Sequence, residues 1–395
     1  GQSNSVYKNK IEDVYTYIVK DLEKAIELLP ASNLTGRIDK YSAYGLLSKV
    51  YLTKSGCGST DGGRNASDLA NAAKYAKLVI DESGRSLLPV YSDIFRLKNN
   101  FSQESLIAWQ WTIGSHWTCQ NTLQSDLGLN GFSEFADTWG TWTGPSIDLQ
   151  TAFGEDASSL TRNNSDARRK ATMMMQGDHY DYFWADKGGF TYDWTNSKAT
   201  GIEYGLGVGA NCVKHLVGDN ADHLAGTNGV GMQRMATALS THLLRLADVY
   251  LVYAEAVLGN AASTSDAGAL SAFNAVRGRS IANYTPKTAI TFDDIFNERR
   301  LELAGEGDFW YDFVRLSYYK PADAKARLAA QNRGSWGGLA DYYKGTKSKS
   351  ELTSNVVKVD ASNVFFSIPF PDTDQSANPN LGKDPVSFDF STISF

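Results

Sequence analysis

Length, composition and charge limit what this chain can be. It has 395 residues, of which 42% are hydrophobic, so it can bury a large core. The 38 basic and 44 acidic residues give a net charge of -6 and form no basic stripe, which argues against nucleic acid as the main partner. Cys57, Cys119 and Cys212 lie far apart without Cys-x-x-Cys spacing, so we expect buried free thiols rather than disulfides or a zinc site.

The first 90 residues have the apolar periodicity of helices. Apolar side chains recur at helical spacing over residues 9–29, and Pro30 ends the run. Two more periodic runs, at 41–54 and 67–82, follow short polar loops. Helices of this length with short connections favour stacked antiparallel hairpins, in which each pair buries its apolar face against its neighbour.

The middle of the chain, residues 91–235, lacks helical periodicity. Gly, Ser, Asn, Asp and Thr are frequent, and the one clear apolar alternation is short, at 105–113. A loop region of this length is usually a functional surface or disordered, and its aromatic content argues against disorder. Seven of the nine tryptophans lie here: Trp109, Trp111, Trp117, Trp139, Trp142, Trp184 and Trp194. They accompany Tyr180, Tyr182, Tyr192 and Tyr204.

Helical patterns return after residue 235. The run 243–258 is apolar apart from one narrow charged stripe, so we expect a helix enclosed on most sides. The runs 266–277 and 293–306 continue the pattern. Thr291 and Asp294 predict a capping box at the start of the second run.

The sequence ERRLELAGEGDFWYDFVR, which ends at Arg315, predicts a helix, a stop and a second helix. Its carboxylates recur every four residues and share one helix face: Glu298, Glu302 and Glu306. Gly307 is expected to take left-handed backbone at the stop, and Asp308 to cap the second helix. Carboxylates four apart beside arginine suit structural ion pairs better than the facing pair of a glycosidase.

The order of residues in this motif resembles the terminal helical signature of the SusD-like (RagB/SusD) family, the outer-membrane glycan-binding lipoproteins of Bacteroidetes. The matching positions are Glu298, Arg299, Glu302, Leu303, Glu306, Gly307, Trp310, Asp312 and Arg315. Phe309 departs from the pattern, since the family usually has Arg there. Three further stretches are similar to family segments, at 36–56, 245–258 and 367–381, with Ser367 replacing the first Pro of the last one.

The resemblance implies a mainly α-helical fold of tetratricopeptide-like hairpins with a long irregular loop-rich insertion and little β-structure. We expect residues 1–395 to form a single SusD-like domain. Its parts would be N-terminal hairpins at 1–90, a loop-rich aromatic glycan-binding region at 91–235, C-terminal hairpins at 236–320 and a loop-rich C-terminal segment at 321–395. Family precursors begin with a signal peptide, a lipid-anchored Cys and a substantial further segment, so we expect the N-terminal part of the family fold to be absent here.

The resemblance also implies a function, which is non-catalytic capture of an oligosaccharide or polysaccharide at the outer surface of the outer membrane. Delivery to a SusC-like TonB-dependent transporter would follow, with membrane attachment through a lipid anchor. Sugar rings stack their C–H faces on aromatic rings, so the loop aromatics are candidates. The predicted glycan-binding residues are Trp139, Trp142, Trp117, Tyr182, Trp184, Tyr192 and Trp194. Trp109 and Trp111, on the apparent strand, are expected to pack in the core.

Other chemistries have weak signals in this sequence. No His-Glu-x-x-His or Gly-x-Ser-x-Gly spacing occurs, and we predict no catalytic residue, metal or cofactor. A set of loop residues lacks EF-hand order and is expected to be solvated rather than to bind calcium: Asp178, Asp181, Asp186, Asp219, Asn220 and Asp222. Two alternatives stay open, a carbohydrate-active hydrolase and a protein–protein interaction scaffold of tetratricopeptide type.

Overall fold

The computed structural model describes residues 6–114, 121–133, 138–197, 201–205, 207–233 and 235–393. Within these ranges helices dominate, and the strands are short and pair in two-stranded sheets. The predicted mainly helical fold with little β-structure is therefore confirmed.

Three N-terminal helices form the first hairpins. They are α1 (Ile11–Leu28), α2 (Lys40–Lys54) and α3 (Ala66–Glu82). Asp39 and Ser42 form a capping box that starts α2. Helix α2 packs against both α1 and α3, and their facing apolar side chains form one hydrophobic core. The helical bounds match the predicted runs to within one or two residues because the apolar periodicity is local.

The loop-rich middle contains short elements and a core of its own. Its helices are α4 (Leu123–Leu127), α5 (Ile147–Ala152), α6 (Ala167–Thr172) and α7 (Asn220–Gly226). Its strands are β1 (Ser105–Trp109), β2 (Met173–Met175), β3 (His179–Tyr180), β4 (Phe190–Thr191) and β5 (Ala210–Cys212). The rings of Phe183 and Phe190 meet Phe132 edge to face, and β2 is fully buried beside them. The middle is thus a packed unit in which many aromatics are core residues.

The C-terminal hairpins pack against the N-terminal helices. They comprise β6 (Thr241–Arg245), α8 (Leu246–Leu258), α9 (Ala267–Ser280), α10 (Phe292–Glu302), α11 (Asp308–Ser317) and α12 (Pro321–Ala330). Strand β6 pairs antiparallel with β1, and α8 packs against α3, α9 and α10. Helix α8 is enclosed as predicted, since most of its side chains are buried.

The C-terminal motif folds largely as its sequence indicates. Thr291 and Asp294 form the predicted capping box of α10. Gly307 has the predicted left-handed backbone, with φ of 94°. It is also the residue that caps α11, so Asp308 is the first helical residue rather than the cap. Phe309, at the family's usual Arg position, packs its ring on Phe313.

The last part of the chain adds strands β7 (Ser335–Gly337) and β8 (Thr353–Asn355), which pair antiparallel, with helices α13 (Leu339–Tyr343) and α14 (Asp372–Ala377). Leu339 and Tyr343 of α13 pack into the core of the middle. Cys57 and Cys212 are free and partly exposed, which corrects the expectation of full burial, and Cys119 lies outside the described residues. No helix in the described ranges has both the length and the apolarity to cross a membrane.

A buried ionic network joins the middle to the C-terminal hairpins. Its members are Arg168, Lys214, Arg245, Arg279, Glu302 and Glu306. Arg245 Nε lies 2.6 Å from Glu306, and Lys214 Nζ lies 2.7 Å from the same carboxylate. Burial opposes ionisation of Glu306, but Arg245 and Lys214 outweigh it and hold the pKa of that carboxyl well below its usual range. The predicted structural role of Glu302 and Glu306 is confirmed.

Candidate functional site

Two of the predicted tryptophans lie at the surface on one tight turn. Trp142 is 75% exposed and Trp139 is 44% exposed. Trp142 is the last residue of the 3-10 turn Gly140–Trp142, and Trp139 immediately precedes that turn. The backbone N–H of Trp139 donates to the carbonyl of Ser125 at 2.9 Å, and that of Gly140 donates to Gly128 at 2.7 Å. Backbone hydrogen bonds therefore fix the turn that carries both indoles.

Gly140 allows this turn to lie directly against the end of α4. A Cβ at this position would be 2.4 Å from the carbonyl carbon of Leu127 and 2.5 Å from the carbonyl oxygen of Asp126. Both atoms belong to backbone and cannot rotate away, so any larger residue must displace the turn. The same close approach brings the indole N–H of Trp139 to Asp126 Oδ1, to which it donates at 3.0 Å.

A pocket of about 490 Å³ opens beside Trp142. Its aromatic lining comes from Trp142, Trp194 and Tyr204, and its polar lining includes Glu203 and Lys344. The ring of Tyr204 stacks on Trp194 with centroids 5.8 Å apart. This Trp142 pocket combines a flat, exposed indole with charged and hydroxyl groups, which is the mixture that a polar ring-shaped ligand requires.

The segment 201–205, which forms one wall of the Trp142 pocket, is tied to the tryptophan turn. Thr141 Oγ1 donates to the carbonyl of Glu203 at 3.2 Å, and the Nδ2 group of Asn130 donates to the Glu203 carboxylate at 2.8 Å. Burial raises the pKa of the Tyr204 phenol to about 12, so its hydroxyl stays neutral at physiological pH. The pocket is therefore preformed by hydrogen bonds.

Two other predicted residues belong to the core of the middle rather than to the surface. Tyr192 is fully buried, does not line the Trp142 pocket, and donates its hydroxyl to Asn211 Oδ1 at 2.8 Å. Trp194 lines the pocket but is only 3% exposed. Neither offers an open ring face to a sugar in this structure. Both rings pack in a core that mixes aromatic side chains with leucine, methionine, isoleucine and valine.

Trp184 and Tyr182 do not line the Trp142 pocket. Trp184 is half-buried and donates its indole N–H to the carbonyl of Phe132 at 3.0 Å. Tyr182 is also half-buried, and the guanidinium of Arg96 lies over its ring. Trp117 lies outside the described residues.

Trp109 lies at the surface, although the sequence predicts that it packs in the core. It is 58% exposed, and its ring meets that of Trp111 edge to face. Among the described residues β1 pairs with β6 alone, and Trp109 is the last residue of that strand. The prediction also missed Glu203 and Lys344, for which the sequence carries no local signal.

Asp178, Asp219 and Asp222 serve as structural partners, whereas Asp181 and Asp186 are exposed to solvent as expected. Asp178 pairs with Arg169, and Asp219 pairs with Lys187 at 2.7 Å. Asp222 accepts hydrogen bonds from backbone N–H groups. No cluster of His, Cys, Asp or Glu suited to a metal ion occurs in the part of the chain that the structure describes.

Comparison with known proteins agrees with this architecture. The SusD family model matches residues 91–386. A SusD-like protein from Bacteroides ovatus is 34% identical over 407 aligned residues, which cover 97% of this chain and 68% of the relative. The chain therefore belongs to the SusD family.

Solved structures give the same result. A crystal structure with a xylogluco-oligosaccharide is 32% identical, has a TM-score of 0.79, and is matched over 99% of this chain and 76% of that chain. A laminarin-binding SusD-like protein is 26% identical with a TM-score of 0.56, over 80% of this chain and 62% of that chain.

Proposed function

We propose that this protein binds an oligosaccharide or polysaccharide at the Trp142 pocket without cleaving it. The observation that carries the proposal is the exposed Trp142 indole beside Tyr204, Glu203 and Lys344. A pyranose ring can stack its C–H face on the indole while its hydroxyls bond to the polar side chains. Family membership supports this use, since one relative was crystallised with a xylogluco-oligosaccharide and another is described as laminarin-binding.

The proposal of binding without catalysis follows from the positions of the carboxylates. A glycosidase places two carboxyl groups on either side of the scissile bond, roughly 5 Å or 6.5–9.5 Å apart. Glu302 and Glu306 are buried and engaged by cations. Among the described residues that line the Trp142 pocket, Glu203 is the one carboxylate. The described lining of the pocket thus supplies one acid, where hydrolysis requires two.

Replacing Trp142 by Ala tests the site. Covering one indole face removes roughly 75 Å² of apolar surface from water, which is worth about 2 kcal/mol, or about 30-fold in affinity. We expect that loss in calorimetric titrations with xylogluco- and laminari-oligosaccharides, and reduced retardation in gels that contain the polymers. Trp109→Ala is the matched control, because it removes a similarly exposed indole that does not line the pocket.

Three results would count against the proposal. Unchanged affinity in Trp142→Ala would show that the Trp142 indole does not contribute to glycan binding. Loss of affinity in Trp109→Ala alone would move the site to the β1 surface. Release of shorter products from labelled glycans would show that the protein is a hydrolase.

We further propose that the protein acts at the outer surface of the outer membrane, held by a lipid anchor, and passes its glycan to a SusC-like TonB-dependent transporter. Family membership supports this proposal. Phe365 and Ile368, which are 71% and 96% exposed, would suit a protein partner because exposed apolar side chains gain from burial.

Copurification with the cognate transporter tests this partner. We expect the double variant Phe365→Ser, Ile368→Ser to recover less transporter, and Trp142→Ala to recover the native amount. Equal recovery with the double variant would exclude these side chains from the contact. Absence of the transporter from purifications of the native protein would contradict the delivery step.

A further inference from the structure

Arg96 differs from the other buried arginines of this protein. Six arginines that are at most 7% exposed all form ion pairs with carboxylates: Arg64, Arg168, Arg169, Arg245, Arg299 and Arg315. Arg96 is 9% exposed and forms no ion pair within the described ranges. Asp93 and Asp222 favour its charge without forming an ion pair, and a buried cation without a direct ion pair is unfavourable.

The protein supplies Arg96 with only weak partners. Its Nε donates to the carbonyl of Ser92 at 3.3 Å, and its Nη2 is buried with no hydrogen-bond partner in the protein. The guanidinium carbon lies 4.0 Å from the centroid of the Tyr182 ring and 4.9 Å from that of Phe183. These rings pack against the guanidinium but provide no hydrogen-bond acceptor for Nη2. Burial lowers the pKa of Arg96, in keeping with a cation whose charge is incompletely compensated.

Arg96 borders a cavity of about 370 Å³ whose walls are mainly apolar. The apolar lining includes Leu97, Tyr182, Leu216, Val217 and Ala225. Asp222 also borders the cavity, but its carboxylate accepts hydrogen bonds from three backbone N–H groups at 2.7–3.0 Å and does not pair with Arg96. Asp93 borders it as well without pairing to Arg96.

We propose that this cavity binds a small carboxylate with an apolar, ring-sized body. The carboxylate would accept a charge-assisted hydrogen bond from the edge of the guanidinium that borders the cavity. The apolar body would cover the leucine, valine and tyrosine walls. A volume near the lower end of the roughly 300–1,000 Å³ range of ligand pockets suits one ring rather than a glycan chain. The cavity shares no lining residue with the Trp142 pocket, so it is a second site.

Titration calorimetry with benzoate tests the ligand class. Benzyl alcohol has a similar ring without the charge, and glucuronate has the charge on a polar ring. We expect benzoate to bind, and both comparison compounds to bind at least tenfold more weakly. No heat with benzoate, equal binding of benzyl alcohol, or a preference for glucuronate would each overturn the proposal.

Variants test the role of Arg96 itself. Arg96→Met keeps an unbranched side chain on the Tyr182 ring but removes the charge, and should weaken benzoate binding at least tenfold. Lys98→Met is the matched control, since Lys98 is an exposed cation on the same cavity, and should change affinity less than twofold. Native affinity in Arg96→Met would overturn the proposal.

Two more variants keep the test decisive if Arg96→Met fails to fold, as judged by circular dichroism. Arg96→Lys retains the charge but loses the planar guanidinium, so benzoate should bind several-fold more weakly; native affinity would refute a specific guanidinium contact. Asp93→Asn removes a carboxylate that competes for the guanidinium. It should leave binding unchanged or tighter, and a loss of binding would refute the assignment. Benzoate affinity in Trp142→Ala should equal that of the native protein, which separates this site from the proposed glycan function.

Discussion

Gly140→Ala should damage both the fold and glycan binding, because the turn that carries the two exposed indoles has no room for a methyl group. An Ala Cβ would lie 2.4 Å from the Leu127 carbonyl carbon, so the turn must retreat by about 1 Å to reach ordinary contact. Overpacking of this kind costs about 1–3 kcal/mol. Stretching the hydrogen bonds from Trp139 to Ser125 and from Gly140 to Gly128 adds about 1 kcal/mol. We therefore expect the free energy of unfolding to fall by about 2–4 kcal/mol.

Urea unfolding followed by circular dichroism measures the stability loss, and calorimetry with oligosaccharides measures the affinity of the same samples. Gly114→Ala is the matched control, since a Cβ there meets no atom of the described residues within 4 Å and should leave both quantities unchanged. Affinity should fall in Gly140→Ala below the temperature of unfolding, because the Trp142 ring moves with the turn. A variant with the native urea midpoint and native affinity would refute the argument that this glycine positions the indoles.

Two further predictions concern the interior. Glu302→Gln removes the anion shared by Arg168, Arg245 and Arg279 and should cost about 3–5 kcal/mol of stability in urea unfolding; a loss below about 1 kcal/mol would contradict a central role in the network. Burial lowers the pKa of His242 to about 4. Since the unfolded chain then binds more protons between pH 4 and about 6.5, stability should fall as pH drops through that window, by up to about 3 kcal/mol. His242→Gln should reduce this fall, and an unaltered pH dependence of the urea midpoint would show that another group causes it.

The helical scaffold could be predicted from the sequence because its signals are local. The capping pair Thr291 and Asp294 and the glycine at 307 act within one or two turns of chain, so the same residues give the same geometry wherever the helix docks. The network around Glu302 could be predicted in kind, as structural ion pairing. Its partner Arg168 could not be predicted, because it comes from a distant part of the chain.

The loop-rich middle could be predicted much less well. Trp142 and Trp194 occur in similar polar, glycine-containing surroundings, yet one is exposed and the other is covered by Tyr204 and Tyr343. Tyr343 belongs to the C-terminal segment, so the difference depends on long-range packing that composition does not reveal. Arg96 is a stronger case, because within the described residues no carboxylate forms an ion pair with it, and only three-dimensional coordinates show which side chains lie near it.

The buried ionic network has a consequence for how members of this family can diversify. Arg168 and Lys214 belong to the middle, whereas the carboxylates that they contact belong to the C-terminal motif, so charge balance spans a join between two parts of the chain. A segment transferred from a relative must supply both Arg168 and Lys214. Otherwise Glu302 and Glu306 each lose a cationic partner in the interior. Chimeras that retain Arg168 and Lys214 could therefore acquire new surface turns, and with them a different ligand preference, on the same helical scaffold.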